Sequence, residues 1–168
     1  DYWRYGLALL SRRFVTLSRG DLETAQLEGE KALAFFRTLG QPSGISAALN
    51  ALGDIARVRG DAEDAVALYD EAMTQLYLSR VKNEVPSILH NLAYSLLALG
   101  QVDRSRNLFS QALLLQQQAE NMAGMAECLT GLAGVAVMEG DGEWAAQLFG
   151  AISQLYEQVG GLHWVPER

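Results

Sequence analysis

Apolar residues recur along this chain at the three- and four-residue spacing of a single helix face. Leu68 with Tyr69, Leu108 with Phe109 and Leu148 with Phe149 stand in register, each pair 40 residues from the next. Small residues bracket them: Ala25, Ala65, Ser105 and Ala145 on one side, Ala32, Ala72 and Ala112 on the other, with Ile152 breaking the last set. This aromatic-and-alanine face predicts core, because small side chains let helices approach closely. A second set, Leu49-x-x-Leu52-Gly53, Leu89-x-x-Leu92-Ala93 and Leu129-x-x-Leu132-Ala133, keeps the same register and predicts the partner helix of each pair.

Between the two sets lie corners. Glycine stands at 20, 60, 100 and 140, followed by Asp21, Asp61, Gln101 and Asp141, and two residues later by Glu23, Glu63, Asp103 and Glu143. Glycine accepts the left-handed backbone that ends a helix, the next residue caps the following one, and the acid faces the positive end of its dipole. Breaks between pairs are expected near 40–44, 81–84 and 121–124, where glycine and proline punctuate. The predicted organisation is one all-α domain over 1–168 with eight helices: repeats of about 1–40, 41–80, 81–120 and 121–160, and a tail at 161–168.

A first helix with Leu-x-x-Leu-Gly, a Gly-Asp turn, then alanine, an aromatic and alanine resembles the tetratricopeptide repeat, over nearly the whole chain. The resemblance implies an α-solenoid, a right-handed superhelix of about four antiparallel helix pairs whose inner wall captures partners. The 40-residue period exceeds the usual length of about 34, which implies longer helices and linkers. Phe35-Phe36-Arg37-Thr38-Leu39-Gly40, Ala48-Leu49-Asn50-Ala51-Leu52-Gly53 and Ala145-Ala146-Gln147-Leu148-Phe149-Gly150-Ala151 resemble the long arrays of LuxR-type (MalT-like) and ATPase-linked bacterial transcriptional regulators. In those regulators such an array senses an inducer or partner. The opening helix departs from the pattern: Arg12 and Arg13 replace the Leu-Gly position, and Leu7, Leu10, Phe14 and Leu17 form a rotated stripe.

Composition narrows the setting. Single Cys128 reads as a small core residue and excludes an internal disulfide and a multi-thiolate zinc site. The chain begins at Asp1, shows no basic-apolar leader and has no uninterrupted apolar stretch of membrane length, so it reads as a cytoplasmic segment of something longer. A net charge of −7 argues against direct nucleic-acid binding. Charge is uneven: residues 1–84 are net −2 and 85–168 net −5, while Arg4, Arg12, Arg13 and Arg19 fall in the first twenty residues, where the bland reading is a solvated face.

The inner wall of a repeat stack is lined by the first helix of each pair. With Leu49, Leu52 and Ala56 as core, its opposite stripe holds Ala47, Asn50, Asp54 and Arg57. The 40-residue shift adds Ser87, His90, Tyr94 and Leu97, then Glu127, Thr130, Gly134 and Val137. Asn50, Asp54, Arg57, His90, Tyr94, Glu127 and Thr130 are the candidate partner-binding residues: Asn50 suits a peptide amide, Arg57 a carboxylate, Tyr94 an apolar side chain. Each also reads as an ordinary surface residue, and Asn91 can point between helices instead. Too few lysines and arginines lie on this wall to grip acidic chaperone tails.

His90 and His163 are the only histidines, and neither lies in a metalloprotease, serine-hydrolase or phosphate-loop motif, so no catalytic site, cofactor or metal is expected. Trp144 stands where other repeats have Thr24, Asp64 and Arg104. It points either to a following segment or another copy, hence self-association, or to packing on the tail at His163-Trp164-Val165. The sequence supports a protein-, peptide- or inducer-binding sensor array from a bacterial transcriptional regulator; the alternative is a free-standing scaffold for assembling a complex.

Overall fold

Left-handed backbone divides the chain at each corner. Gly20, Gly60, Gly100 and Gly140 have φ of +76°, +93°, +72° and +77°, conformations that glycine adopts without steric cost. At the Gly60 corner the Asp61 N–H donates to the Ala56 carbonyl and the Gly60 N–H to the Arg57 carbonyl, so the last turn closes as a Schellman motif. Asp21 then accepts from the Thr24 N–H at 3.0 Å and Asp141 from the Trp144 N–H at 2.9 Å, the capping expected of them, whereas Gln101 caps with no side-chain bond.

The computed structural model describes Arg4, Gly6, Ala8, Leu10, Ser11, Thr16 and residues 19–79 and 84–158. Expectations for Leu7, Arg12, Arg13, Phe14 and Leu17, for the junction at 81–83 and for the tail at 161–168 lie outside the described residues. Seven continuous helices follow one another: α1 Leu22–Thr38, α2 Pro42–Arg59, α3 Ala62–Ser79, α4 Val85–Ala98, α5 Val102–Gln118, α6 Met122–Glu139 and α7 Gly142–Gln158. Arg4, Gly6, Ala8, Leu10, Ser11 and Thr16 are helical too, ahead of α1. No strand occurs among the described residues.

Consecutive helices pack on one another throughout, and the first helices of successive pairs also touch, α2 on α4 and α4 on α6. The backbones of the described second helices stay apart, although the Arg37 guanidinium of α1 reaches the Glu71 carboxylate of α3 at 2.8 Å. The first helices therefore lie on the inside of the stack and the second helices spread on the outside.

Two expectations about glycine change. Gly44 and Gly124 do not mark linkers; both lie buried in the first turns of α2 and α6. A Cβ on Gly44 would sit 2.2 Å from the Phe36 ring, so the absence of a side chain there lets α1 and α2 meet. The length beyond a standard repeat goes into helices of 17 or 18 residues in six of the seven, and little into connections.

The aromatic register holds for two members and fails for the third. Tyr69 and Phe109 are fully buried, but Phe149 is 53% exposed, because among the described residues no helix follows α7 to cover it. Trp144 is half-buried against the cluster of Ala93, Phe109, Leu132 and Val135, so it packs back onto the stack. Among the described residues one helix, Met122–Glu139, is long and apolar enough to cross a bilayer by length and composition, although Glu127 interrupts its apolar run. It packs on α4, α5 and α7 with Cys128, Leu132, Ala133, Val135 and Ala136 buried, the environment of a core helix.

Candidate functional site

The inner wall is built around a polar belt that joins α2 to α4. The Tyr69 hydroxyl, reaching in from α3, donates to Asp54 Oδ1 at 2.9 Å. Asn91 Nδ2 donates to the same oxygen at 3.0 Å and to Asn50 Oδ1 at 3.4 Å. Asn91 Oδ1 in turn faces His90 Nδ1 at 3.2 Å. An amide oxygen only accepts, so Nδ1 carries the proton and neutral His90 presents its lone pair at Nε2. Nε2 is buried without a hydrogen-bond partner.

Beside the belt lies an aromatic floor. The His90 ring meets Tyr94 edge-on at 4.9 Å and Phe109 at 5.8 Å, and Tyr94 meets Phe109 at 4.8 Å, the T-shaped geometry that ring quadrupoles favour. Burial pulls the His90 imidazolium below the usual histidine range; Asn91 and Glu127 oppose this and Arg57 adds to it. Burial likewise lifts the Tyr94 phenol, with Cys128 and Glu127 adding and Arg57 opposing. Tyr69 is raised well beyond the ordinary phenol range by burial and by the Asp54 carboxylate, and the Cys128 thiol is pushed up to about 11 by burial and Glu127. These shared influences place exposed Arg57 and exposed Glu127 around the same floor, a cation from α2 and an anion from α6.

The structure thus gathers six of the seven candidates: Asn50, Asp54, Arg57, His90, Tyr94 and Glu127. Thr130 lies exposed one turn along α6, with its hydroxyl donating to its own helix at the Ala126 carbonyl, 2.8 Å. Asn50 and Asp54 are bound into the belt, and Arg57 is exposed but also engages Tyr69, while Glu127 and Thr130 are exposed on α6. Toward the end of the wall Leu97 packs against α6, 3.3 Å from where a Gly134 Cβ would sit, and Val137 is 61% exposed.

Sequence reasoning missed the hub. Spacing alone leaves Asn91 between two orientations and assigns Tyr69 to the apolar core. The signal for Asn91 is its register: Ala51 and Gly131 occupy the equivalent places, so a polar side chain there enters a close helix contact and needs partners. Among the described residues no group of three His, Cys, Asp or Glu side chains is placed to hold a metal.

No family model matches the sequence, and no curated protein sequence does either. The fold has clear likenesses. BtubC (BKLC) from P. vanneervenii superposes with a TM-score of 0.81 at 20% identity, covering 100% of this chain and 69% of that one. A Podosopora anserina protein of nearly identical TPR-like repeats gives 0.71 at 16% identity, covering 92% of this chain and 76% of that one. The TPR domain of Arabidopsis FLU gives 0.65 at 14% identity, covering 70% of this chain and 99% of that one. At these identities the likeness is one of fold, and the chain is an all-α, TPR-like solenoid.

Proposed function

We propose that this array is a non-catalytic interaction module that captures a peptide segment of another protein on its inner wall. One observation carries the reading: the His90–Tyr94 ring pair sits where both the Arg57 side chain of α2 and the Glu127 side chain of α6, on exposed residues, act on it electrostatically, on a wall shared by three first helices. An apolar side chain laid on Tyr94, with an acidic residue toward Arg57 and a basic one toward Glu127, complements each group in turn. Asn91, Asp54 and Asn50 hold the floor rigid from beneath, which limits the ordering cost of binding.

The test is a peptide array in which an apolar centre is flanked by acidic and basic residues in both orders. Wild type should retain one order over the other. Arg57→Glu with Glu127→Arg should exchange that preference while helical circular dichroism stays the same, since both side chains are exposed. Equal retention of both orders by wild type, or an unchanged preference in the double variant, removes the wall as the site.

At finer grain, the phrases around Phe35–Gly40 and Ala145–Ala151 support a place in a bacterial transcriptional regulator, where a cytoplasmic array of this kind senses a partner or inducer. The free-standing scaffold is the second reading. The parent reading frame separates them: a nucleotide-binding loop upstream or a helix-turn-helix reader downstream belongs to the regulator, and neither belongs to the scaffold.

A further inference from the structure

The inner wall repeats in rows, because the first helices of the stack run in one direction and approach one another, α2 on α4 and α4 on α6. One row at the 40-residue shift holds Asp54, Tyr94 and Gly134, and the next holds Arg57, Leu97 and Val137. Asp54 is tied into the belt and Tyr94 into the floor. Gly134 brings no side chain to that row. Gly131, one turn earlier on the same helix, is sealed by the Phe109 ring, whereas a Cβ on Gly134 would meet a single neighbour, Leu97 Cδ2 at 3.3 Å. Gly134 is therefore a gap in the wall rather than a point of helix contact.

What surrounds the gap is aliphatic. Leu97 of α4 borders it half-buried, and Val137 and Met138 of α6 are both more than half exposed. Helical side chains tilt back toward the N-terminus, so these two lean over the turn that contains Gly134. One turn earlier stands Thr130, whose hydroxyl hydrogen is committed to the Ala126 carbonyl. A charged group entering here would give up water against an aliphatic lining, whereas an apolar one gains by leaving water. Thr130 and Val137 stand about two turns apart, roughly 10 Å of helix rise, a span that suits a branched aliphatic side chain.

We infer that this notch is a specificity pocket and takes a branched aliphatic side chain, leucine, isoleucine or valine, of a peptide held on the wall. The inference rests on the reading that the wall captures a peptide. Charge selects that occupant: Arg57 on α2 and Glu127 on α6 give the wall both signs, which a segment carrying an acid and a base complements. The notch lies on the same helix as Glu127, about two turns further along. A net charge of −7 disfavours a second copy of this chain in its place. Met138, unbranched and polarisable, adjusts to the shape that enters. Gly134 thus sets the preference through the side chain it lacks.

Synthetic peptides carrying an aspartate and a lysine in the retained order, with every other position scanned as alanine and as leucine, test it by fluorescence anisotropy. Wild type should bind about tenfold tighter when leucine replaces alanine at the position that enters the notch, the discrimination a hydrophobic pocket gives. Gly134→Leu, which fills the notch, should erase that preference and leave the charge-order preference intact, and Gly134→Ala should reduce it partway. Both substitutions favour the helix over glycine, and the added Cβ meets only the movable end of Leu97, so circular dichroism and urea unfolding should show folds at least as stable. Leucine preferences that all survive Gly134→Leu, or no such preference in wild type, overturn the notch while the charge-order preference stands. A wild type without charge-order preference removes the wall and the notch together. Self-association that Gly134→Leu abolishes would assign the notch to a second copy and overturn the inference.

Discussion

A Cβ atom on Gly131 would lie 2.2 Å from Cε1 of Phe109, so the ring fills the space a side chain would take and sets how closely the third and fourth pairs approach. A methyl group here meets a fully buried ring, not a flexible surface chain. Gly131→Ala should therefore destabilise the chain by about 1–3 kcal/mol, despite alanine's higher helix propensity. Phe109→Leu should recover part of that loss in the Gly131→Ala background while costing stability alone. Urea unfolding of the four proteins measures the coupling, and additive effects would contradict the packing.

Asn91 serves Asp54, Asn50 and His90 at once, at 3.0, 3.4 and 3.2 Å. Asn91→Ala removes all three bonds and should cost about 1–3 kcal/mol. Asn50→Ala removes only the longest and should cost less. The order of the two midpoints in denaturant is the measurement; equal losses would mean that Asn91 is no hub.

His90 gives the stability a pH dependence. Burial holds its folded pKa below the ordinary 6.5, so the unfolded chain binds the proton first as pH falls. The stability linked to neutral His90 is complete above that ordinary value and is lost as pH drops through the lower folded one. Wild type should accordingly weaken more between pH 7.5 and pH 5 than His90→Gln, which has no proton to take up. Chemical unfolding at the two pH values checks the difference, and parallel losses would remove His90 from the account.

Glu120 is the one described residue other than glycine with positive φ, +53°, in the junction position that Gly40 holds at +59°. A side chain in left-handed backbone costs roughly 1–2 kcal/mol. Glu120→Gly should raise the melting temperature by about 2–4 °C, once the greater freedom of glycine in the unfolded chain is subtracted. Calorimetry showing a fall would mean that the Glu120 side chain makes a compensating contact.

The fold was legible because each corner repeats its chemistry: glycine, a capping group and an acid at 20–23, 60–63, 100–103 and 140–143. Helix packing was legible only to the level of a face. Gly44 and Gly124 read as punctuation in one dimension, although their role depends on Phe36 and Gln116 arriving from the preceding helix. The stripe residues fall on one face of neighbouring first helices, as spacing implies, while the bonds among them do not follow from spacing. Whether Asn50 faces a peptide or Asn91 depends on the distance between two helices that no periodicity encodes. Phe149 shows the same limit, since its register matches buried Tyr69 and Phe109 and only a neighbour decides its exposure.

Because first-helix backbones approach their counterparts while second-helix backbones stand apart, bridged on the surface by Arg37 and Glu71, each hairpin can roll on the next about a line of contact near the inner wall. Small rolls at successive junctions add along the array like the coils of a spring. A load applied to one end would open or narrow the groove by a fraction of an ångström per junction without breaking any single contact.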